Sequence, residues 1–295
     1  MSLDQKPAPD LTPKVPTSNP LSGYFRQPAI YITLPSGGKY WPAGSIDIPE
    51  SGELPVYPIS TKDEIMLRTP DALMNGQGVV DVIHSCIPNI KNAWHMPTVD
   101  IDYVLIAIRI ASYGHSMEFS HTCGSCREEH NYAMDLRHLN STIHMPDYDT
   151  PTEERGLRIR FHPADYRKMT ELNQTNFEIS KTGQQIEAEG ISQEVRDTYV
   201  KTTMEKIVAL GYGVVSDATT SIEIIETGDI IDNRKFIEEF YQQIDSKLFN
   251  AIQTALGDKA KEANIKPQKA QCQNCGADIE INILFDYASF FVVGS

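Results

Sequence analysis

Four of the five cysteines stand in two C-x-x-C pairs, and their spacing constrains the fold more than any other feature of the sequence. Cys123 and Cys126 form the first pair, Cys272 and Cys275 form the second, and Gly276 follows directly. Two such turns supply the four thiolates of a closed tetrahedral site, the usual arrangement around structural zinc. We therefore predict that these four cysteines bind one zinc ion, which fastens the C-terminal segment to the middle of the chain.

Two other interpretations of the cysteine pairs stay open. A redox-active C-x-x-C motif opens a helix after a strand, and it would account for one pair but not for both. Residues 277–283, after the second pair, instead alternate polar and apolar side chains, as a half-buried strand does. The remaining interpretation is four unligated thiols.

Other candidate ligands near the first pair have less support. His121 and His130 flank it and could replace a thiolate, but four cysteines already complete a tetrahedron. The fifth cysteine, Cys86, lies in the apolar run 79–87, where a thiol is typical of a small buried side chain.

Composition excludes several classes of protein. The 295 residues carry a formal net charge of −14, with a pI of about 5.0, which argues against nucleic acid as a partner. No apolar run approaches the roughly 18 residues of a membrane helix, so we expect no membrane partner. The first residues lack the pattern of a signal peptide, and five cysteines are few for a secreted disulfide scaffold. We therefore expect synthesis in a reducing cytoplasm.

The hydrophobic periodicity of the sequence and the positions of its glycines and prolines predict an α+β fold in four parts. Residues 1–22 hold five of the eighteen prolines and few large apolar side chains, which predicts a flexible arm that orders only against a partner. Residues 23–146 combine a small β part, helices and a hairpin around the first cysteine pair. Residues 147–266 form a mainly helical insertion, and residues 267–295 hold the second pair and a C-terminal strand. The two pairs are thus the separated knuckles of a split four-cysteine zinc ribbon.

Local patterns place the individual elements. Strands are predicted at 29–34, 39–42, 56–59, 115–120, 157–161 and 221–226. Helices are predicted at 78–86, 100–113, 200–208 and 236–256. A further helix starts at Thr61, with Glu64 completing a capping box, and Asp232 or Asn233 caps the last helix. The apolar stripe of that last helix is either core or an oligomer seam.

Signatures of catalysis and of cofactor binding are missing from the sequence. It contains no H-E-x-x-H, no G-x-S-x-G, no Rossmann fingerprint and no Walker loop. The eight histidines are scattered without a ligand pair on one helical face. We therefore expect no catalytic residue, no cofactor other than the structural zinc, and no enzymatic activity.

An ordered set of turns and motifs resembles a phage family. The set comprises the strand and glycine turn 30–42, the segments 58–64 and 75–76, Cys86, the helix end 109–114 and the first cysteine pair. In this order, over residues 24–140, the chain resembles the baseplate hub proteins of T-even-like contractile-tailed bacteriophages.

The resemblance implies a structural role in the virion. Such a protein would be made in the host cytoplasm and would join the hub region of the tail baseplate, contributing to baseplate assembly and tail attachment. Its partners would be other baseplate, hub and tail-tube proteins, with repeated copies around the tail axis. The alternative is a cytoplasmic zinc-ribbon adaptor or an assembly chaperone that binds protein partners.

Aromatic residues mark the expected contact edges. They are Tyr40 and Trp41 after the glycine turn, and Phe285, Tyr287, Phe290 and Phe291 near the C-terminus. Aromatic side chains are favoured at interface centres, but the same residues also suit a core. If they form an interface, removing residues 290–295 should leave the zinc fold intact and prevent tail assembly.

Overall fold

The computed structural model describes residue 19 and residues 21–67, 75–186, 192–283 and 290–291. Almost all of the predicted arm, residues 1–22, lies outside these ranges, as do Phe285 and Tyr287. None of the helices within these ranges has the length and apolar character that crossing a bilayer requires.

Eight α-helices and ten strands make up the described part of the chain, which confirms the predicted mixture of helices and small sheets. The helices are α1 (Thr61–Leu67), α2 (Gln77–Cys86), α3 (Thr98–Tyr113), α4 (Leu136–Thr142), α5 (Tyr166–Ile186), α6 (Gln193–Ala218), α7 (Arg234–Gln243) and α8 (Ser246–Glu262). The strands are β1 (Ile30–Ile32), β2 (Leu54–Val56), β3 (Ser116–Thr122), β4 (Glu129–Asp135), β5 (Thr152–Glu154), β6 (Leu157–Phe161), β7 (Thr219–Ile224), β8 (Ile230–Ile231), β9 (Gln268–Gln271) and β10 (Asp278–Ile281).

The first hydrophobic core lies in the N-terminal part. β1 pairs antiparallel with β2, and α2, α3 and α4 contribute buried side chains to the same cluster. Nine of the sixteen residues of α3 are buried, as expected for a helix that is apolar on most sides and lies inside a core. The helices predicted at 78–86 and 100–113 are thus confirmed, with slightly earlier starts.

The N-terminus of α1 is capped one residue earlier than predicted. The Asp63 amide donates to Ser60 Oγ at 3.3 Å, and the Ser60 amide donates to the Asp63 carboxylate at 2.7 Å. This reciprocal pair is a capping box in which aspartate takes the place of glutamate. The predicted box of Thr61 and Glu64 is therefore wrong, and Glu64 instead accepts a hydrogen bond from the Tyr113 hydroxyl at 2.8 Å.

A buried carboxylate joins the glycine turn to α3. Asp100 accepts hydrogen bonds from the Ser36 amide at 3.0 Å, the Ser36 hydroxyl at 2.5 Å and the Trp41 indole at 2.9 Å. Burial raises the pKa of Asp100, and these donors oppose that shift. The strand predicted at 39–42 is absent: a turn ends at Tyr40, which has a φ of 66°, and residues 41–42 have no regular structure. Trp41 is therefore packed against the first core and does not form an exposed edge.

A second hydrophobic core lies within residues 147–266. Strands β5 to β8 form one antiparallel sheet in chain order, and α7, α8 and the end of α6 pack with it. Tyr40 reaches this core from the N-terminal part, where its ring meets the Tyr148 ring edge to face at 6.0 Å between centroids. Tyr40 thus contacts the second core, contrary to its expected place at a contact edge.

The single helix predicted at 236–256 is two helices. α7 ends at Gln243, and Asp245 caps α8 by accepting hydrogen bonds from the amides of Lys247 and Leu248, both at 3.0 Å. The apolar stripe continues across the break, so periodicity does not reveal it. Asn233 caps α7, as predicted. The stripe is core at the following residues: Ile237, Tyr241, Leu248, Ile252 and Leu256.

Helices α5 and α6 pack together as a helical hairpin. α6 has 26 residues and extends the predicted helix 200–208 in both directions. Near its C-terminal end, Val215 and Ala218 are buried in the second core, whereas residues 193–209 are mostly exposed. The hairpin therefore projects from the second core.

The described C-terminal residues belong to the first core. Phe290 and Phe291 are 1% and 4% exposed, and their rings meet edge to face at 5.1 Å between centroids. The Arg109 guanidinium donates to the Phe290 carbonyl at 2.5 Å and lies 5.5 Å from the centre of its ring. Of the two expected places for these aromatic residues, the structure thus shows the core, and removing residues 290–295 would take two buried side chains from it.

Replacing Phe290→Ala should lower the free energy of unfolding by about 3–5 kcal/mol, the usual cost of emptying a buried aromatic site. The matched control is Phe236→Ala, because Phe236 is 62% exposed and its loss should change stability by about 0.5 kcal/mol or less. Urea unfolding followed by tryptophan fluorescence measures both variants. Equal losses would contradict the assignment of Phe290 to the core.

Candidate metal centre

The two cysteine pairs meet at one point in space. The Sγ atoms of Cys123, Cys126, Cys272 and Cys275 all lie within 4.8 Å of one another. Cys123 Sγ is 3.8 Å from Cys275 Sγ, and Cys126 Sγ is 3.6 Å from Cys272 Sγ. A tetrahedron with zinc–sulfur bonds of about 2.3 Å places its sulfurs about 3.8 Å apart, whereas the sulfurs of a disulfide lie about 2.05 Å apart. The thiols thus have the spacing of metal ligands.

Each pair lies in a knuckle with the same backbone hydrogen bonds. The amide of the first cysteine in each pair donates to the carbonyl of the residue five positions later. The amide of the residue four positions later donates to the carbonyl of that first cysteine. These distances are 2.9 and 2.8 Å around Cys123, and 2.8 and 2.9 Å around Cys272. The fifth residue of each knuckle has a left-handed φ, 64° at Arg127 and 70° at Gly276. The same turn therefore occurs twice.

Backbone amides point at the first sulfur of each pair. The amides of Cys126 and Ser125 donate to Cys123 Sγ and lower the pKa of this thiol to about 6. The two corresponding amides of the second knuckle lower the pKa of Cys272. N–H donors favour the thiolate, which is the form of cysteine that binds a metal.

At Cys275, crowding among the sulfurs raises the pKa of the thiol instead of lowering it. The Ala277 amide lowers the pKa of this thiol, but its contacts with Cys272 and the other thiols raise that pKa more, to about 11. Four thiolates repel one another unless a cation lies between them, so metal binding to such a set releases protons. The donor set and its spacing therefore fit a divalent cation.

Four short strands carry the knuckles, with β3 and β4 on either side of the first and β9 and β10 on either side of the second. Ile279 and Ile281 of β10 are buried beside the cysteines, and Tyr132 and Met134 of β4 pack against them. The alternation predicted for residues 277–283 is confirmed over β10. A small apolar cluster thus shields one side of the four sulfurs.

The other candidate ligands lie apart from the cluster. Among the described residues, the group that could hold a metal consists of cysteines alone. His121 and His130 face each other across β3 and β4. Cys86 is buried in the first core, and burial raises the pKa of its thiol to about 12, which agrees with its predicted role as a small apolar filler.

A cleft of about 670 Å³ lies between the two hydrophobic cores. Some of its ionisable groups are in contact: His95 Nδ1 is 3.1 Å from the Asp165 carboxylate, and Lys168 Nζ is 2.5 Å from Asp217. Neither serine nor cysteine is found among the described residues that line it. The cleft thus has polar contacts that join neighbouring secondary-structure elements.

The convergence of the four cysteines was predicted from the sequence and is confirmed, but parts of their support were not predicted. β9 consists of Gln268–Gln271 and has no apolar run that could have predicted it. Gln273 Nε2 donates to the Asn131 carbonyl at 3.4 Å and so links the second knuckle to β4. A hydrogen bond between residues so distant in sequence leaves no local signal.

Comparison with known families identifies the chain. The model of the family described as T4 bacteriophage base plate protein matches residues 29–292. This match spans most of the chain, and the protein therefore belongs to this family. The resemblance to phage baseplate proteins is confirmed at this level. No curated protein and no solved structure matches the chain.

Replacing Gly276→Ala should weaken metal binding, because alanine in a left-handed conformation costs about 1–2 kcal/mol, equivalent to roughly 5- to 30-fold in affinity. The matched control is Gly124→Ala in the first knuckle. An added Cβ meets open space at both positions, and a left-handed φ occurs only at Gly276 of the two. Competition with a chromophoric chelator measures both affinities. A similar loss in the two variants would contradict the proposed strain.

Proposed function

We propose that this member of the T4 base plate family is a structural component of the hub region of the tail baseplate, held together by one zinc ion. The ligands are Cys123, Cys126, Cys272 and Cys275. The supporting observation is the convergence of two knuckles 146 residues apart in sequence, in a chain whose family match runs over residues 29–292.

Zinc is the metal that this donor set favours. Thiolates are soft ligands that select zinc over magnesium or calcium, and four protein ligands leave no open position for substrate or water. The proposed role of the ion is therefore structural. A two-stranded ribbon is marginally stable alone, whereas structural zinc contributes on the order of 10 kcal/mol to the folding of a small module. The ion would thus join the β3–β4 and β9–β10 ribbons firmly.

The proposed organisation has four parts: the arm 1–22, the N-terminal part 23–146, the insertion 147–266 and the C-terminal part 267–295. The insertion has its own hydrophobic cluster, and the two ends of the insertion lead to the two knuckles. A shared ion would therefore hold both ends of the insertion at one point on the N-terminal part.

The proposed activity is assembly through protein contacts, without catalysis. The partners would be other baseplate, hub and tail-tube proteins, and repeated copies would surround the tail axis in the virion after synthesis in the host cytoplasm. The net charge of −14 supports a role without nucleic acid, and we expect no contact with a membrane.

Purified protein is expected to carry one zinc ion per chain, measured by inductively coupled plasma mass spectrometry. Cys275→Ser should lose most of this zinc and make the β9–β10 ribbon sensitive to protease, because the C-terminal segment is then released. Cys86→Ala is the matched control, since Cys86 lies in the first core and its loss should leave the zinc content unchanged. Zinc-free protein whose C-terminal strands resist protease would contradict the proposed zinc link between the two knuckles.

Phage that lack this gene are expected to produce heads and free tail components but no infectious particles, and the chain should be present in purified wild-type tails. Electron microscopy and mass spectrometry of the particles test both points. Infectious particles without the gene would overturn the baseplate role. A gene that is required for assembly, with a product that is missing from finished tails, would replace the resident role with that of an assembly chaperone.

A further inference from the structure

Helix α6 carries an exposed apolar stripe. Val200, Met204 and Val208 recur at intervals of four, and Ile207 lies beside them; these side chains are 46%, 58%, 53% and 44% exposed, respectively. The stripe continues along the helix to Val215, which is completely buried in the second core. Exposed apolar patches of this kind often mark a protein–protein contact.

Helix α5 does not cover this stripe. The less exposed residues in the outer part of α6 recur every seven positions, at Arg196, Thr203 and Leu210, and α5 packs along this helix. Because successive residues of a helix are turned by about 100°, Met204 lies at about a right angle to the row that contains Thr203. The stripe is therefore a side face of the hairpin.

The hairpin is electrically neutral although the whole chain is acidic. Helices α5 and α6 together contain six basic and six acidic residues, whereas the formal net charge of the protein is −14. Acidic surfaces on two copies of the protein would repel each other, whereas two neutral hairpins would not.

Charges beside the stripe fit a second copy of the same helix. Lys201 and Glu205 lie on the same flank of Met204, turned from it by about 60° and 100° around the helix axis. Along the axis, Lys201 precedes Met204 and Glu205 follows it. A two-fold axis at Met204 places two α6 helices antiparallel. Lys201 of each copy then lies beside Glu205 of the other, about 3 Å apart along the axis. In the described part of the chain, the ion pairs include neither residue.

We propose that the α6 stripe, defined by Val200, Met204, Ile207 and Val208, is a self-association surface that joins two copies of this chain in an antiparallel pair. Met204 meets its own counterpart at the two-fold axis, and two reciprocal Lys201–Glu205 pairs flank it. A surface that is complementary to itself under a two-fold axis is what an isologous dimer requires. This inference is independent of the baseplate role and of the zinc ion.

The first test is sedimentation velocity of the full-length protein over a concentration series. Wild type is expected to show a monomer–dimer equilibrium. Met204→Glu should abolish the dimer, because two carboxylates would then face each other at the two-fold axis. The matched control Phe177→Glu also places a charge at an exposed apolar residue of the hairpin, but on α5, and it should leave the dimer unchanged. Circular dichroism checks that each variant is folded.

The second test is a charge swap. Lys201→Glu and Glu205→Lys should each weaken the dimer by about tenfold at low salt, because two attractive pairs become repulsive. Combining the two substitutions should restore the wild-type dissociation constant, because the reciprocal pairs then form with opposite polarity.

Three outcomes would overturn the proposal. They are a monomer at every concentration, a dimer that survives Met204→Glu, and a double charge swap that remains as weak as the single ones. The first would assign the stripe to a different protein partner. The third would exclude the antiparallel arrangement.

Discussion

The structure depends on the convergence of two cysteine knuckles that are far apart in sequence. Their four sulfurs lie within 4.8 Å of one another, and each knuckle repeats the same backbone hydrogen bonds. Neither ribbon has enough buried surface to be stable by itself. A cation among the sulfurs would thus hold the C-terminal strands, and would fix the ends of the insertion that separates the knuckles.

A second connection between distant segments reinforces the first. Arg109 in α3 donates to the Phe290 carbonyl, 181 residues later, and the aromatic ring of Phe290 fills the N-terminal core. With a metal ion among the thiols, the C-terminal part would be held at two places, by the second knuckle and by Phe290. The proposed insertion would then present the α5–α6 hairpin in a defined direction, which suits a protein whose proposed role is to position neighbours in an assembly.

The sequence predicted those features that have a short-range signal. The two C-x-x-C turns predicted the cluster, alternation predicted β10, and the apolar runs predicted α2 and α3. It failed where the outcome depends on distant partners or competing signals. Residues 39–42 do not form a strand, and Trp41 instead donates a hydrogen bond to Asp100, far along the chain. The helix break at Asp245 was hidden by an apolar stripe that continues across it. The aromatic ring of Phe290 suits a core and an interface equally, so composition could not decide between them.

X-ray absorption spectroscopy at the zinc edge of the purified, full-length protein tests most directly whether one ion joins the two knuckles. We expect four sulfur ligands at about 2.3 Å and no nitrogen or oxygen ligand. Such a spectrum, lost in Cys275→Ser, would show that both knuckles hold one ion. A spectrum with mixed nitrogen or oxygen ligands, or with two sulfurs per metal, would contradict the proposed joining of the two knuckles.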